Sequence, residues 1–155
     1  MSESKDEYYL HFVWTTQQRT PLLTPDVEAS LHRCIQDQAR RLHSVVLALN
    51  GTADHMHLAL KANPVHGPSR IMQQIKGVSP KFVGDEFVRH ADHPSDWFCW
   101  QEGYGVFSFS TSQKSRVIRY VQNQKQRHAG VGKPWPSCEP NDSRFAQGGA
   151  AHSGP

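Results

Sequence analysis

Cysteine is scarce in this chain: Cys34, Cys99 and Cys138 are the only ones, odd in number and widely spaced. That pattern supports neither a disulfide framework nor a zinc knuckle. The three read as packing or surface residues in a reducing cytoplasm. Long apolar runs are missing too. No segment approaches the roughly 20 apolar residues of a membrane-spanning helix. The opening residues carry no apolar signal-peptide core, so a cytoplasmic protein without a membrane partner is expected. Internal repeats are absent, and charge is mild. The net charge is +3 with ten histidines uncounted, and the isoelectric point is about 8.9. Such a balance tolerates a polyanionic partner without demanding one. The 155 residues, 37% of them hydrophobic, suffice for one domain with a real core.

What is present is organised around residues 52–61, TADHMHLALK. This segment alternates and follows the polar Asn50-Gly51 break, so it reads as a strand. Side chains at i and i+2 of a strand share a face, which sets His55 beside His57 and turns Met56, Leu58 and Leu60 toward a core. Two adjacent imidazoles on a fixed backbone form half of a shell for a divalent metal. Taken alone, they read as a partly exposed strand whose histidines merely cover a sheet.

The rest of the chain places this strand. Residues 8–15 are dense in aromatic and β-branched side chains and predict a strand. Tyr9, His11, Val13 and Thr15 lie on one face, and Leu10, Phe12 and Trp14 on the more apolar one. Thr24-Pro25 opens a helix to about Leu42, with Asp26 and Glu28 in its first turn. Val45 to Leu49 predicts a buried strand, forming an antiparallel hairpin with the histidine strand. Ser69 caps a second helix through Gly77, which can extend past Pro80 to Val83 with a disturbance there. Residues 103–110 predict a fourth strand, and Thr111-Ser112 a cap for a third helix from Gln113 to about His128. On that helix Val117, Ile118 and Val121 form the buried stripe, with Arg116, Tyr120, Gln124 and Arg127 on an adjacent one. Residues 131–155 are poor in apolar side chains and predict a poorly ordered tail behind a domain of residues 1–130. The order strand, helix, strand, strand, helix, strand, helix predicts an α+β, ferredoxin-like antiparallel sheet with helices on one face. Its other face is expected to stay open, with the histidine pair on it.

Five segments in this order carry a resemblance: LHFVWTTQQR (10–19), ADHMHL (53–58), KGVS (76–79), WQEGYGVFS (100–108) and YVQNQ (120–124). Together they resemble the one-tyrosine HUH transposases of small insertion sequences, including the REP-associated tyrosine transposases. In these, two histidines flank one bulky apolar residue, here His55-Met56-His57. The resemblance spans about residues 8 to 128; Pro80 and the segment after Gly130 depart from it.

The resemblance implies breakage and rejoining of single-stranded DNA at hairpin-forming ends through a 5′-phosphotyrosine. Tyr120 matches the nucleophile, and a phenol, a poor nucleophile at neutral pH, needs help from a metal or base. His55, His57 and Gln124 match the metal ligands, a nitrogen and oxygen set suited to Mg²⁺ or Mn²⁺. Without the resemblance, Tyr120 is an ordinary helix-surface tyrosine. Asp54 reads as a hairpin-turn residue in preference to a partner of a histidine. Arg19, Lys76, Lys81, Arg116, Arg119 and Arg127 are candidate phosphate contacts, although each alone reads as a solvated surface charge. Trp97, Trp100 and Tyr104 are open to base stacking or core packing. A homodimer is expected, because joining two ends takes two nucleophiles. Two other readings stand beside this one: a replication-initiator or relaxase-type nickase, and a non-catalytic nucleic-acid-binding module.

Overall fold

A computed structural model describes residues 5–87 and 98–127. Trp97 and the tail after Gly130 lie outside the described residues. The sheet is built from β1 (Tyr9–Thr15), β2 (Val45–Gly51), β3 (His55–Lys61) and β4 (Gly105–Phe109). Its order is β2-β3-β1-β4, and every pairing is antiparallel. The helices are α1 (Pro25–Arg41), α2 (Pro68–Phe87), α3 (Lys114–Gln122) and α4 (Gln124–Arg127). The expected ferredoxin-like α+β architecture is therefore present.

Local chemistry explains the boundaries. Thr24 Oγ1 accepts the Val27 amide at 3.4 Å, and proline follows at the first helical position. At the other end of α1, His43 adopts a left-handed φ of 51°. The Ser44 amide then reaches Ala39 O, and the His43 amide reaches Arg40 O. This is the two-bond closure that usually recruits glycine. α2 continues through Pro80 to Phe87. Burial of Ile71, Met72, Ile75, Ser79 and Val83 on both sides of the proline outweighs one lost backbone bond. β4 is shorter than expected, starting at Gly105.

The two faces of the sheet hold separate cores. Leu10, Phe12 and Trp14 join Met56, Leu58 and Leu60 beneath α1 and α2. Each such side chain contributes roughly 1.5–3 kcal/mol on burial. On the other face Tyr9, Val13, Ala48, Ala59 and Phe109 pack against Val117, Tyr120 and Val121 of α3. The sequence reading leaves this face open, and here the structure differs. The apolar side chains on it are too many to leave wet, and α3 covers them.

A bulge between Val46 and Ala48 shifts the register of β2. Val46 and Leu49 consequently share the first core, while Asn50 becomes the cross-strand partner of His57. Gly51, opposite Met56, closes this edge. A Cβ built there would lie 2.5 Å from Met56 Sδ and 2.6 Å from the His55 carbonyl oxygen. The backbone atom cannot swing away, so Gly51→Ala forces the hairpin to shift. A loss of about 2 kcal/mol is expected in chemical denaturation, and unchanged stability would contradict this packing.

Candidate active site

His55 and His57 stand side by side on β3, ring centroids 5.0 Å apart, and both are fully buried. Their burial follows from α3 lying over them. Cross-strand pairing sets Thr15 opposite His55 and Val13 opposite His57. His11, two residues before Val13 and on the same face, therefore lies diagonally across from His57. Its Nε2 is 3.1 Å from His57 Nδ1. Burial pushes the His11 imidazole down to about 4, so it is neutral near pH 7.

His55 is gripped from its own hairpin. Its Nδ1 lies 2.8 Å from Asp54 Oδ1 and 2.7 Å from Thr52 Oγ1. A hydrogen on Nδ1, held by that carboxylate, directs the lone pair of His55 to Nε2. Asp54 is thus both a turn residue and a partner of a histidine, where the sequence favoured the turn alone. Arg19 Nε donates to Asp54 Oδ2 at 3.1 Å. Burial alone would raise the Asp54 carboxyl, but hydrogen bonds from His55 and Arg19 outweigh it and hold it below the ordinary value. Arg19 reaches Asp54 from a turn in which Gln18 and Arg19 both have φ of 54°. Left-handed residues of this kind each cost on the order of 1–2 kcal/mol. The Gln18 amide, donating to Gln101 Oε1 at 3.0 Å, helps hold the turn.

Tyr120 is 3% exposed, not a helix-surface residue. Its ring meets those of His11 and His57 edge-on, at centroid distances of 5.9 and 5.8 Å. The helix breaks at Asn123, so Gln124 opens α4 instead of continuing α3. Gln124 is fully buried, and its Nε2 donates to Tyr120 O at 3.1 Å. Its Oε1 is buried and accepts no hydrogen bond among the described residues. A buried amide oxygen in that state costs roughly 1–3 kcal/mol, and a cation is one partner that would satisfy it.

The break in the helix is pinned to the histidine strand's neighbour. Asn50 Nδ2 donates to Gln122 O at 2.9 Å. Lys125 Nζ donates to Glu28 Oε1 and Asn50 Oδ1 at 2.6 Å each, and to Gly51 O at 3.1 Å. Burial would raise the Glu28 carboxyl, yet hydrogen bonds from His32 and Lys125 bring it below its ordinary value. One chain thereby brings Tyr120, His57 and the backbone carrying Gln124 to the same end of the sheet.

Fit to a divalent metal can be judged from these donors. Among the described residues no three His, Cys, Asp or Glu side chains are grouped to share an ion. A third protein donor would have to be of another kind, and Gln124 Oε1 is an oxygen in want of a partner. His55, His57 and Gln124 are the side chains that would hold a divalent cation here.

The candidate DNA contacts divide. Arg19 is engaged with Asp54. Lys76 Nζ donates to the carbonyls of Gln101 and Gly103 at 2.7 and 2.8 Å, tying the approach to β4 onto α2; burial pushes it down to about 8. Lys81 is exposed on α2, across the sheet from the histidines. Arg116 and Arg119 are exposed on α3, and Arg127 ends α4. Trp100 donates to Ser79 Oγ and packs edge-on to Trp14 and Phe98. Tyr104 packs beside Phe12, so it and Trp100 are both half-buried against the core. His11, Asn50 and Lys125 escaped the sequence reading. Only His11 left a signal, as a histidine on the same strand face as Val13.

The family described as "Transposase IS200 like" matches residues 4–124. The chain belongs to this family of transposases. It is 20% identical over 117 residues to the ISDra2 transposase TnpA of Deinococcus radiodurans, covering 76% of this chain and 84% of that one. A crystal structure of a candidate transposase from Deinococcus radiodurans superposes with a TM-score of 0.61 at 25% identity, covering 80% of this chain and 96% of the other. A REP-associated tyrosine transposase bound to a REP hairpin shares the fold, with a TM-score of 0.57 at 19% identity over 96% of this chain and 88% of the other. None of the helices described is long and apolar enough to cross a membrane.

Burial of His11 has a consequence for stability. Its folded pKa, about 4, lies below the ordinary 6.5, so between those values the unfolded chain binds more protons than the folded one. Stability is full above pH 6.5 and falls as pH drops toward 4, by about 3 kcal/mol from this group. Denaturation of the metal-free protein across that window should show a loss that His11→Phe reduces by that amount. Equal pH profiles for the two proteins would contradict the buried, neutral assignment.

Proposed function

We propose that the protein cleaves and rejoins single-stranded DNA at hairpin-forming ends, with Tyr120 as nucleophile. The observation that carries this reading is the placement of the Tyr120 ring against His57 within one chain of an IS200-like transposase. Tyr120 Oη attacks the scissile phosphorus, the phosphorus–3′-oxygen bond breaks, and a 5′-phosphotyrosine forms. The phenol loses one proton and the departing 3′ oxygen takes one up, so the step is proton-neutral. Attack by another 3′-hydroxyl on the same phosphorus reverses it and rejoins the strand. The helix and its latch hold the phenol for in-line approach, which contributes through positioning. His55, His57 and Gln124 would hold Mg²⁺ or Mn²⁺, whose chemistry there is Lewis-acid polarisation of the phosphate.

Arg116, Arg119 and Arg127 supply cations for the phosphate backbone, whereas Lys81 lies across the sheet from the site and Arg19 and Lys76 act inside the fold. The hairpin-bound relative supports a hairpin as the DNA form recognised. Joining two ends takes two tyrosines, so two copies of the chain, each with its own site, act together as a homodimer.

The test uses a single-stranded oligonucleotide carrying a hairpin and its flank. The native protein should form a denaturant-stable adduct, and Tyr120→Phe should form none while binding the hairpin as before. An adduct on the Tyr120→Phe protein would sink the assignment. Removal of divalent metal by chelation should stop cleavage, and Mg²⁺ or Mn²⁺ should restore it. His55→Ala or His57→Ala should lower the rate by at least about 100-fold, the scale of losing a preorganised electrostatic group. Full-rate cleavage after chelation would refute the metal role.

A further inference from the structure

His11 takes no part in the reaction as set out above, yet it is one of the most tightly enclosed polar groups in the chain, 2% exposed. Phe107, His57 and Tyr120 surround its ring at centroid distances of 6.4, 5.3 and 5.9 Å. Its Nε2 lies 3.1 Å from His57 Nδ1. Two neutral imidazoles in such contact share a single hydrogen, which belongs to one ring or the other. If His11 donates, the hydrogen of neutral His57 sits on its Nε2, and that ring has no lone pair left for a cation. If His57 donates, its Nδ1 carries the hydrogen and its Nε2 carries the lone pair. On the neighbouring ligand the second arrangement is already built: His55 Nδ1 faces the Asp54 carboxylate at 2.8 Å. The two histidines of β3 thus have one engaged Nδ1 each, Asp54 serving the first and His11 the second.

We propose that His11 is a positioning residue which accepts the Nδ1 hydrogen of His57 and so fixes the tautomer and ring orientation that His57 needs to bind a divalent metal. The pairing arises from the sheet itself. His11 and His57 are diagonal neighbours on one face of the β1–β3 ladder, so strand register, not a flexible loop, sets their distance. A neutral acceptor suits the place. A carboxylate there would add a second buried negative charge near the phosphate site, whereas imidazole orients His57 without one. The inference rests on the metal reading of the proposed function, and the test separates the two.

The tautomer is read in metal-free, ¹⁵N-labelled native protein from long-range proton–nitrogen spectra of the His57 ring, which needs neither metal nor activity. A hydrogen on Nδ1 is expected; a hydrogen on Nε2 overturns the proposal. Mn²⁺ binding is then measured by the disappearance of the free-ion paramagnetic resonance signal. His11→Phe keeps the ring volume but removes the acceptor, and should weaken Mn²⁺ binding by about 10- to 100-fold. It should also move the His57 hydrogen to Nε2. His11→Gln returns an acceptor near the position of Nε2 and should recover most of the affinity, which a purely structural role would not require. Native affinity in a folded His11→Phe protein overturns the proposal. Should His11→Phe fail to fold, the tautomer of the native protein still decides. Absence of Mn²⁺ binding by the native protein would instead refute the metal reading, while the tautomer measurement independently decides the His57–His11 hydrogen bond.

Discussion

The site depends on the docking of α3 onto the second face of the sheet. Without it, His11, His55 and His57 would be solvent-facing imidazoles on an open strand pair, and Tyr120 would be remote from them. The docking has an apolar part, in which Val117, Tyr120 and Val121 meet Tyr9, Val13, Ala59 and Phe109. Its polar part is the grip of Asn50 on Gln122 O and of Lys125 on Glu28, Asn50 and Gly51. The apolar contacts supply most of the free energy, since Lys125 is more than half exposed and an ion pair of that kind is worth little by itself. The polar contacts supply direction. They fix where the helix breaks, and hence that Gln124 turns inward.

Enclosing the histidines has an electrostatic cost that the structure meets in two ways. His11 stays neutral because burial disfavours its charged form. His55 keeps a hydrogen-bond partner in Asp54, whose carboxyl is in turn held by Arg19. The strained turn at Gln18 and Arg19 fits this view. Backbone strain persists where the surroundings determine it, and here it delivers one guanidinium to one carboxylate. Gln124 Oε1 remains a buried acceptor without a hydrogen bond among the described residues, in an interior where nearly all such atoms are satisfied.

Much of this was legible in the sequence. Alternation in residues 8–15 and 52–61 identified which side chains of β1 and β3 face the larger core, because strand periodicity survives any tertiary context. The Thr24-Pro25 start of α1 was readable for a similar reason, as capping chemistry is local. The cover over the second face was not. Tyr120 on a short amphipathic helix looks the same whether the helix lies on a sheet or in water, and only the packing decides. The bulge at Val46–Ala48, which turns Asn50 toward His57, leaves no mark in a run of small apolar residues. Arg19 and Lys76 looked like phosphate contacts because a cation's partner is invisible until the fold brings it close. The five matching segments pointed to the family before geometry could, and the family matched over residues 4–124 is the same one.

Assembly of the tyrosine and the histidines into one site takes place within one chain. It is tested most directly by mixing Tyr120→Phe protein with His55→Ala, His57→Ala protein, under conditions where heterodimers form and native protein cleaves. Sites built within each chain leave every site in the mixture broken, so no recovery of cleavage is expected. Cleavage restored on mixing would mean that a tyrosine from one copy works with the histidines of another, and would contradict it.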